Sequence, residues 1–146
     1  MAVSAYASFG TLLKVGDGVS PQTFRTITGV GNIKGPGTNV SEKETTSHST
    51  SSPHRTYIPT LIEDGELSFP IFYQPTEATH SLTSTYGLEY LFQNRVVRAF
   101  KLQATDPAQT TRQFDAFVEN MGESYEVDGL MVRDVTLRIV TAPAVV

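Results

Sequence analysis

The groups in this sequence that could do chemistry are three histidines, a closely spaced carboxylate pair, a glycine run and a hydroxyl-rich tract. His48 and His54 fall in a polar stretch too loosely held to fix a tetrahedral metal, and no carboxylate stands as an obvious third ligand. A trimer axis would repeat them, but solvated loop histidines are the simpler reading. His80 precedes the helical signal and reads as a packing or capping residue. Asp64 and Glu66 flank Gly65, which suits a turn better than the held separation that glycoside chemistry needs. Gly29-Val30-Gly31 followed by Gly35 has the wrong spacing for a dinucleotide loop, and Pro36 with a Ser/Thr tract follows where a helix should begin. No G-x-S-x-G elbow singles out a serine. The absence of cysteine removes thiol catalysis, thiolate zinc and iron–sulfur clusters. No cofactor or metal is implied, and the motifs point away from an enzyme.

The elements that would carry these groups are mostly strands. Thr11–Val15 is a short strand closed by the Asp17-Gly18 turn. Phe24–Val30 alternates, with Phe24, Thr26, Thr28 and Val30 on one side. Gly35-Pro36-Gly37 stops it. Residues 38–56 hold ten Ser or Thr in 19 positions and one strongly apolar residue, Val40, so the expectation is a long mobile loop that orders against a partner. Order returns at Tyr57–Ile62. In the next run Leu67, Phe69, Ile71 and Tyr73 share a face, and Pro70 points to an edge or bulge. Leu88, Leu91 and Phe92 predict the one helix, with Ser84 or Thr85 as cap, Asn94 at its end, and an earlier start near Thr76 as the alternative. Three alternating strands close the chain: Val96–Ala104, Gln113–Met121 and Leu130–Thr141. The pattern is mainly β, an antiparallel β-sandwich or half-barrel with one flanking α-helix and a long polar loop at about 38–56.

A length of 146 residues fits a single domain, 1–146, large enough to bury roughly 68–70% of its unfolded surface. No run approaches the roughly 18 apolar residues of a membrane span. Met1–Phe9 has neither the basic start nor the apolar core of a secretion signal. The net charge of −4 argues against a tight grip on phosphate backbones. It is unevenly spread: residues 106–134 hold seven acids against Arg112 and Arg133, while Arg95, Arg98 and Lys101 stand without an acid between them.

Taken in order, three segments of the first 37 residues resemble the opening of tail tube proteins of long, non-contractile bacteriophage tails, the siphovirus or lambda-like kind. They are Gly16-Asp17-Gly18-Val19-Ser20-Pro21-Gln22-Thr23-Phe24, Ile27-Thr28-Gly29-Val30 and Ile33-Lys34-Gly35-Pro36-Gly37. The likeness continues through Glu44-Thr45-Thr46-Ser47-His48, Arg55, the run Ile58–Phe69, Phe114–Val118 and Val135–Ile139. The end departs from the family pattern, with Thr141-Ala142-Pro143 where a glycine is common.

The resemblance implies a virion structural protein, assembled in the host cytoplasm, whose hexameric rings share a continuous inner β-barrel. The rings stack into the conduit for DNA ejection. Implied partners are further copies of itself, the tail tip or initiator, the tape measure and the tail terminator. DNA passes without specific binding, and no membrane is involved. Residues 35–56 become an inter-ring arm, with Thr38, Asn39, Ser41, Glu42, Lys43, Glu44, Thr45, His48, His54 and Arg55 as contact candidates. Asp115, Glu119 and Asp134 are candidates to face the lumen, where like charge keeps DNA sliding. Arg95, Arg98, Lys101, Glu63 and Asp64 are candidates for the subunit seam. The alternatives are the inner tube of a contractile tail or secretion-system ring, and a small β-sandwich ligand-binding module. The scattered tyrosines and the lack of tryptophan weigh against the module.

Overall fold

The computed structural model describes residues 5–49 and 51–146. Met1–Ser4, part of the stretch searched for a secretion signal, and Thr50 of the polar tract lie outside the described residues. In chain order the elements are β1 (Leu12–Gly16), β2 (Phe24–Thr26), β3 (Asn39–Glu44), β4 (Tyr57–Glu63), β5 (Glu66–Phe72), α1 (Leu88–Asn94), β6 (Arg98–Gln103), β7 (Thr111–Tyr125), β8 (Met131–Ile139) and β9 (Ala144–Val145).

The main sheet is antiparallel throughout, in the order β2-β1-β6-β7-β8-β5, with β9 pairing the start of β7. Strand β2 ends at Thr26, short of the expected Val30. Gly29 takes φ +71° and turns the chain away; a side chain there would press on the Phe72 carbonyl at 3.2 Å. Val30 and Lys34 then bridge Ile71 and Ser68 on the far side of β5. The segment leaving one edge of the sheet thus covers the other, and the sheet curls into a half-barrel. Pro70 fits this edge. The amides of Ser68 and Phe72 donate to Lys34 and Gly29, and proline between them has none to offer.

Inward alternation builds the core. Phe100 stacks on Phe114 across β6 and β7, with ring centroids 6.1 Å apart. Leu13, Val15, Leu67, Phe69, Ile71, Ala116, Val118, Val135, Leu137 and Ile139 complete the curled face, and Leu88 and Leu91 close it from α1. Each fully buried Leu or Phe contributes about 1.5–3 kcal/mol over an exposed one.

The helix starts later than its capping signals suggest. Gly87, not Ser84 or Thr85, is the N-cap and makes no side-chain cap bond. Only glycine fits, because a Cβ would collide with the Ser81 carbonyl. Arg95 ends the helix in the left-handed region, φ 54°. Asn94 helps by donating from Nδ2 to the Tyr90 carbonyl. No helix among the described residues is long and apolar enough to cross a membrane.

Two other expectations need correcting. The polar tract is not loop from its start: Asn39–Glu44 forms β3 and pairs with β4, Val40 opposite Ile62 and Glu44 opposite Tyr57. Composition missed this because ladder hydrogen bonds need no apolar side chains. Strand β7 also runs past Met121 to Tyr125, since β8 supplies a partner along that length.

Candidate assembly surfaces

The solvent face of the main sheet gathers the acids that drew attention in the sequence. Register sets Phe117, Arg138 and Glu66 side by side, and likewise Gly122, Asp134 and Pro70. Asp115 lies opposite Ala99 on the same face. Glu119 sits in the bulge between Val118 and Asn120. Its carboxyl shares a hydrogen bond with Glu66, which holds its pKa above the ordinary value, assisted by partial desolvation and the Glu66 charge and opposed by Arg138. Arg138 is the local counter-ion, 2.6 Å from Glu63 and 3.6 Å from Glu66. The three acids therefore share one sheet face. Lys14 and Lys101 lie opposite each other farther along it, with the Lys101 ammonium 4.1 Å from the centre of the Phe24 ring.

The second surface is the β3–β4 ribbon, which pairs with no other strand among the described residues. Every residue of both strands is exposed. The register shift between Val40 and Glu42 places an extra residue in β4, so Ile62 and Tyr57, opposite Val40 and Glu44, share one face, and Ile58, opposite Lys43, lies on the other with Leu61. Two-stranded ribbons are marginal alone in water. This one exposes apolar groups on both faces, Leu61 at 77% and Ile62 at 65%. The arm candidates Thr38, Asn39, Ser41, Glu42, Lys43, Glu44, Thr45, His48, His54 and Arg55 all lie exposed along it or at its turn. Arg55 lies 3.8 Å from Glu44, and the Thr45 and Thr56 hydroxyls bond across the turn at 2.8 Å.

The seam candidates are not brought together. Arg95 is the exposed helix cap. Arg98 is partly buried beneath Gly18, where a Cβ would stand 2.7 Å from the guanidinium carbon. Lys101 is held over Phe24, Glu63 is paired with Arg138, and Asp64 occupies the turn before β5.

Sequence reasoning missed a buried polar knot beside α1. The Arg133 guanidinium lies 3.8 Å from the centre of the Tyr73 ring and pairs with Glu123 and, at 3.6 Å, with Glu89. Tyr73 donates to Glu89 at 3.2 Å, and desolvation leads the influences that raise its pKa. His80 is buried at 1% exposure: Nδ1 accepts from the Gln74 amide at 3.2 Å and Nε2 donates to the Thr28 carbonyl at 2.6 Å. One signal was available, since Arg133 falls on the inward parity of β8 with Val135, Leu137 and Ile139. An inward arginine demands a paired acid. Asp106 plays a smaller structural part. The Thr110 hydroxyl and amide hold its carboxyl below the usual range and close the β6–β7 turn.

No protein-family model matches the sequence, and no curated protein resembles it in sequence. Solved structures do match the fold. A chain in the virion of a native gene transfer agent particle superposes with a TM-score of 0.73 at 13% identity, covering 97% of this chain and 99% of that one. A chain of an extracellular contractile injection system, from its sheath/tube terminator, gives 0.70 at 12% identity and 99% coverage of both. A chain of the SPP1 tail tube gives 0.66 at 12% identity, covering 92% of this chain and 75% of that one. At such identities the likeness is one of fold: a curled antiparallel sheet with one helix, as in these tail and injection particles.

Proposed function

We propose that this chain is the repeating subunit of a tail tube, built of stacked sixfold rings, through which DNA leaves a virion. The observation that carries the proposal is end-to-end likeness to a chain from a gene transfer agent tail with C6 symmetry: TM-score 0.72, covering 97% of this chain and 99% of that one. Two surfaces support it. The uncovered β3–β4 ribbon needs a partner for both faces, and an arm between rings supplies one on each side. The polar solvent face of the sheet, with Asp115, Glu119 and Asp134, suits a bore that must not hold DNA.

On this reading the ribbon from Thr38 to Arg55 docks on the next ring. Arg95, Arg98, Lys101, Glu63 and Asp64 lie near the seam. Tail tip, tape measure and terminator proteins meet the tube at its ends and inside it. The role is structural and not catalytic. Negative-stain microscopy of the purified protein tests it: rings or tubes are expected at high concentration or with tail initiator. A particle that stays monomeric under both conditions overturns it.

A second reading, the tube of a contractile injection system, is favoured by a TM-score of 0.68 to a chain of a contractile sheath–tube complex. Micrographs of the parent particle separate the two. A bare, flexible tail supports the first, and a tube inside a contracting sheath supports the second.

A further inference from the structure

We infer that copies stack by seating the β7–β8 turn of one in a cleft at the opposite pole of the next, an inference that rests on the tube reading and names its axial contact. The two features lie at opposite ends of β7. That strand has 15 residues, which at about 3.4 Å each spans roughly 50 Å. At its far end the turn between β7 and β8 carries Tyr125, Val127, Leu130 and Met131, all exposed. At its near end, where β6 finishes and β1 begins, an open cleft of about 880 Å³ is bordered by Phe9, Val30, Ile33 and Leu102. It continues past Thr11 and Gly35 into a second hollow of about 420 Å³ beside Arg112.

The most exposed large apolar side chains among the described residues are Val127 at 108% and Phe9 at 97%. One crowns the turn and the other lines the cleft. Apolar groups left this bare mark contact surfaces. At opposite poles they make a heterologous contact that repeats without closing, as a stack requires.

Charge matches the same way. Glu126 and Asp128 stand on the turn without a cation among the described residues. Lys34, between the cleft residues Ile33 and Gly35, and Arg112 make no ion pair among the described residues. The acid on that rim, Asp106, is occupied by Thr110. A second copy therefore brings acids to free cations, while two like poles repel.

The chain has no cysteine, so a disulfide reports the contact directly. Phe9→Cys and Val127→Cys in one chain, both at exposed positions, should give under mild oxidation a ladder of covalent oligomers in assembled material. Either substitution alone should stop at background. Separately, Glu126→Lys with Asp128→Lys should raise the concentration needed for assembly about tenfold, and Lys34→Glu with Arg112→Glu in the same chain should restore it. Tubes that form with no ladder and no charge rescue overturn this contact while leaving the tube reading intact. Failure of the unaltered chain to polymerise overturns both.

Discussion

Glu119 occupies the one place where β7 slips register against β8, and the slip delivers its carboxyl to Glu66. Because the folded state raises its pKa, folding is favoured when Glu119 is protonated and penalised once pH passes above the folded value. Glu119→Gln should therefore raise the urea midpoint at neutral pH, and the gain should shrink as pH falls through the ordinary glutamate range near about 4.3. A gain that persists undiminished in acid would mean that repulsion from Glu66 is not its source. His80 poses the opposite case, a buried ring whose two nitrogens are both used. His80→Ala should cost about 2–3 kcal/mol in denaturant unfolding, because it strands the Gln74 amide and the Thr28 carbonyl. The sequence placed His80 near the helix and marked it for packing. It could not name those partners, since Thr28 lies 52 positions away and comes near only after Gly29 turns the chain.

The strands that were legible were those with one buried face. Leu67, Phe69 and Ile71 in β5, Phe114, Ala116 and Val118 in β7, and Val135, Leu137 and Ile139 in β8 all alternate because each sheet face meets a different medium. Strand β3 has no such contrast, being exposed at every position, so composition suggested a loop. Strand β9 is two residues long and too short to pattern. The helix was found from three apolar positions, but its start was set by backbone crowding at Gly87, which no capping signal encodes. The ribbon also gives a separable prediction. Joining Glu44 to Tyr57, which are already paired, by Asn-Gly in place of residues 45–56 should leave the far-UV spectrum and thermal midpoint of the subunit nearly unchanged, because the ribbon lies outside the core. The same change should abolish tubes in micrographs. Normal tubes would remove the arm from the assembly.

As a whole, the molecule turns three different surfaces outward: a polar sheet face, a bare ribbon, and two unlike poles. On the proposed reading the first lines the bore. Asp115, Glu119 and Asp134 replaced together by lysine should then assemble into tubes of normal appearance but slow the release of DNA from particles, measured by dye influx or nuclease accessibility after triggering. Release at the usual rate would put those acids elsewhere on the tube. The faces could be assigned only after topology was known, because which acids share a plane depends on the slip at Glu119. Strand β7 touches every other strand of the curled sheet except β1, β2 and β5, and reaches from one pole to the other without a break in the chain. In a stack, such strands amount to a column of tie rods laid end to end. On the proposed reading an axial pull would run along peptide bonds within each subunit and pass to the next only through the noncovalent contact of turn and cleft, so the joints between the rods would yield before the rods.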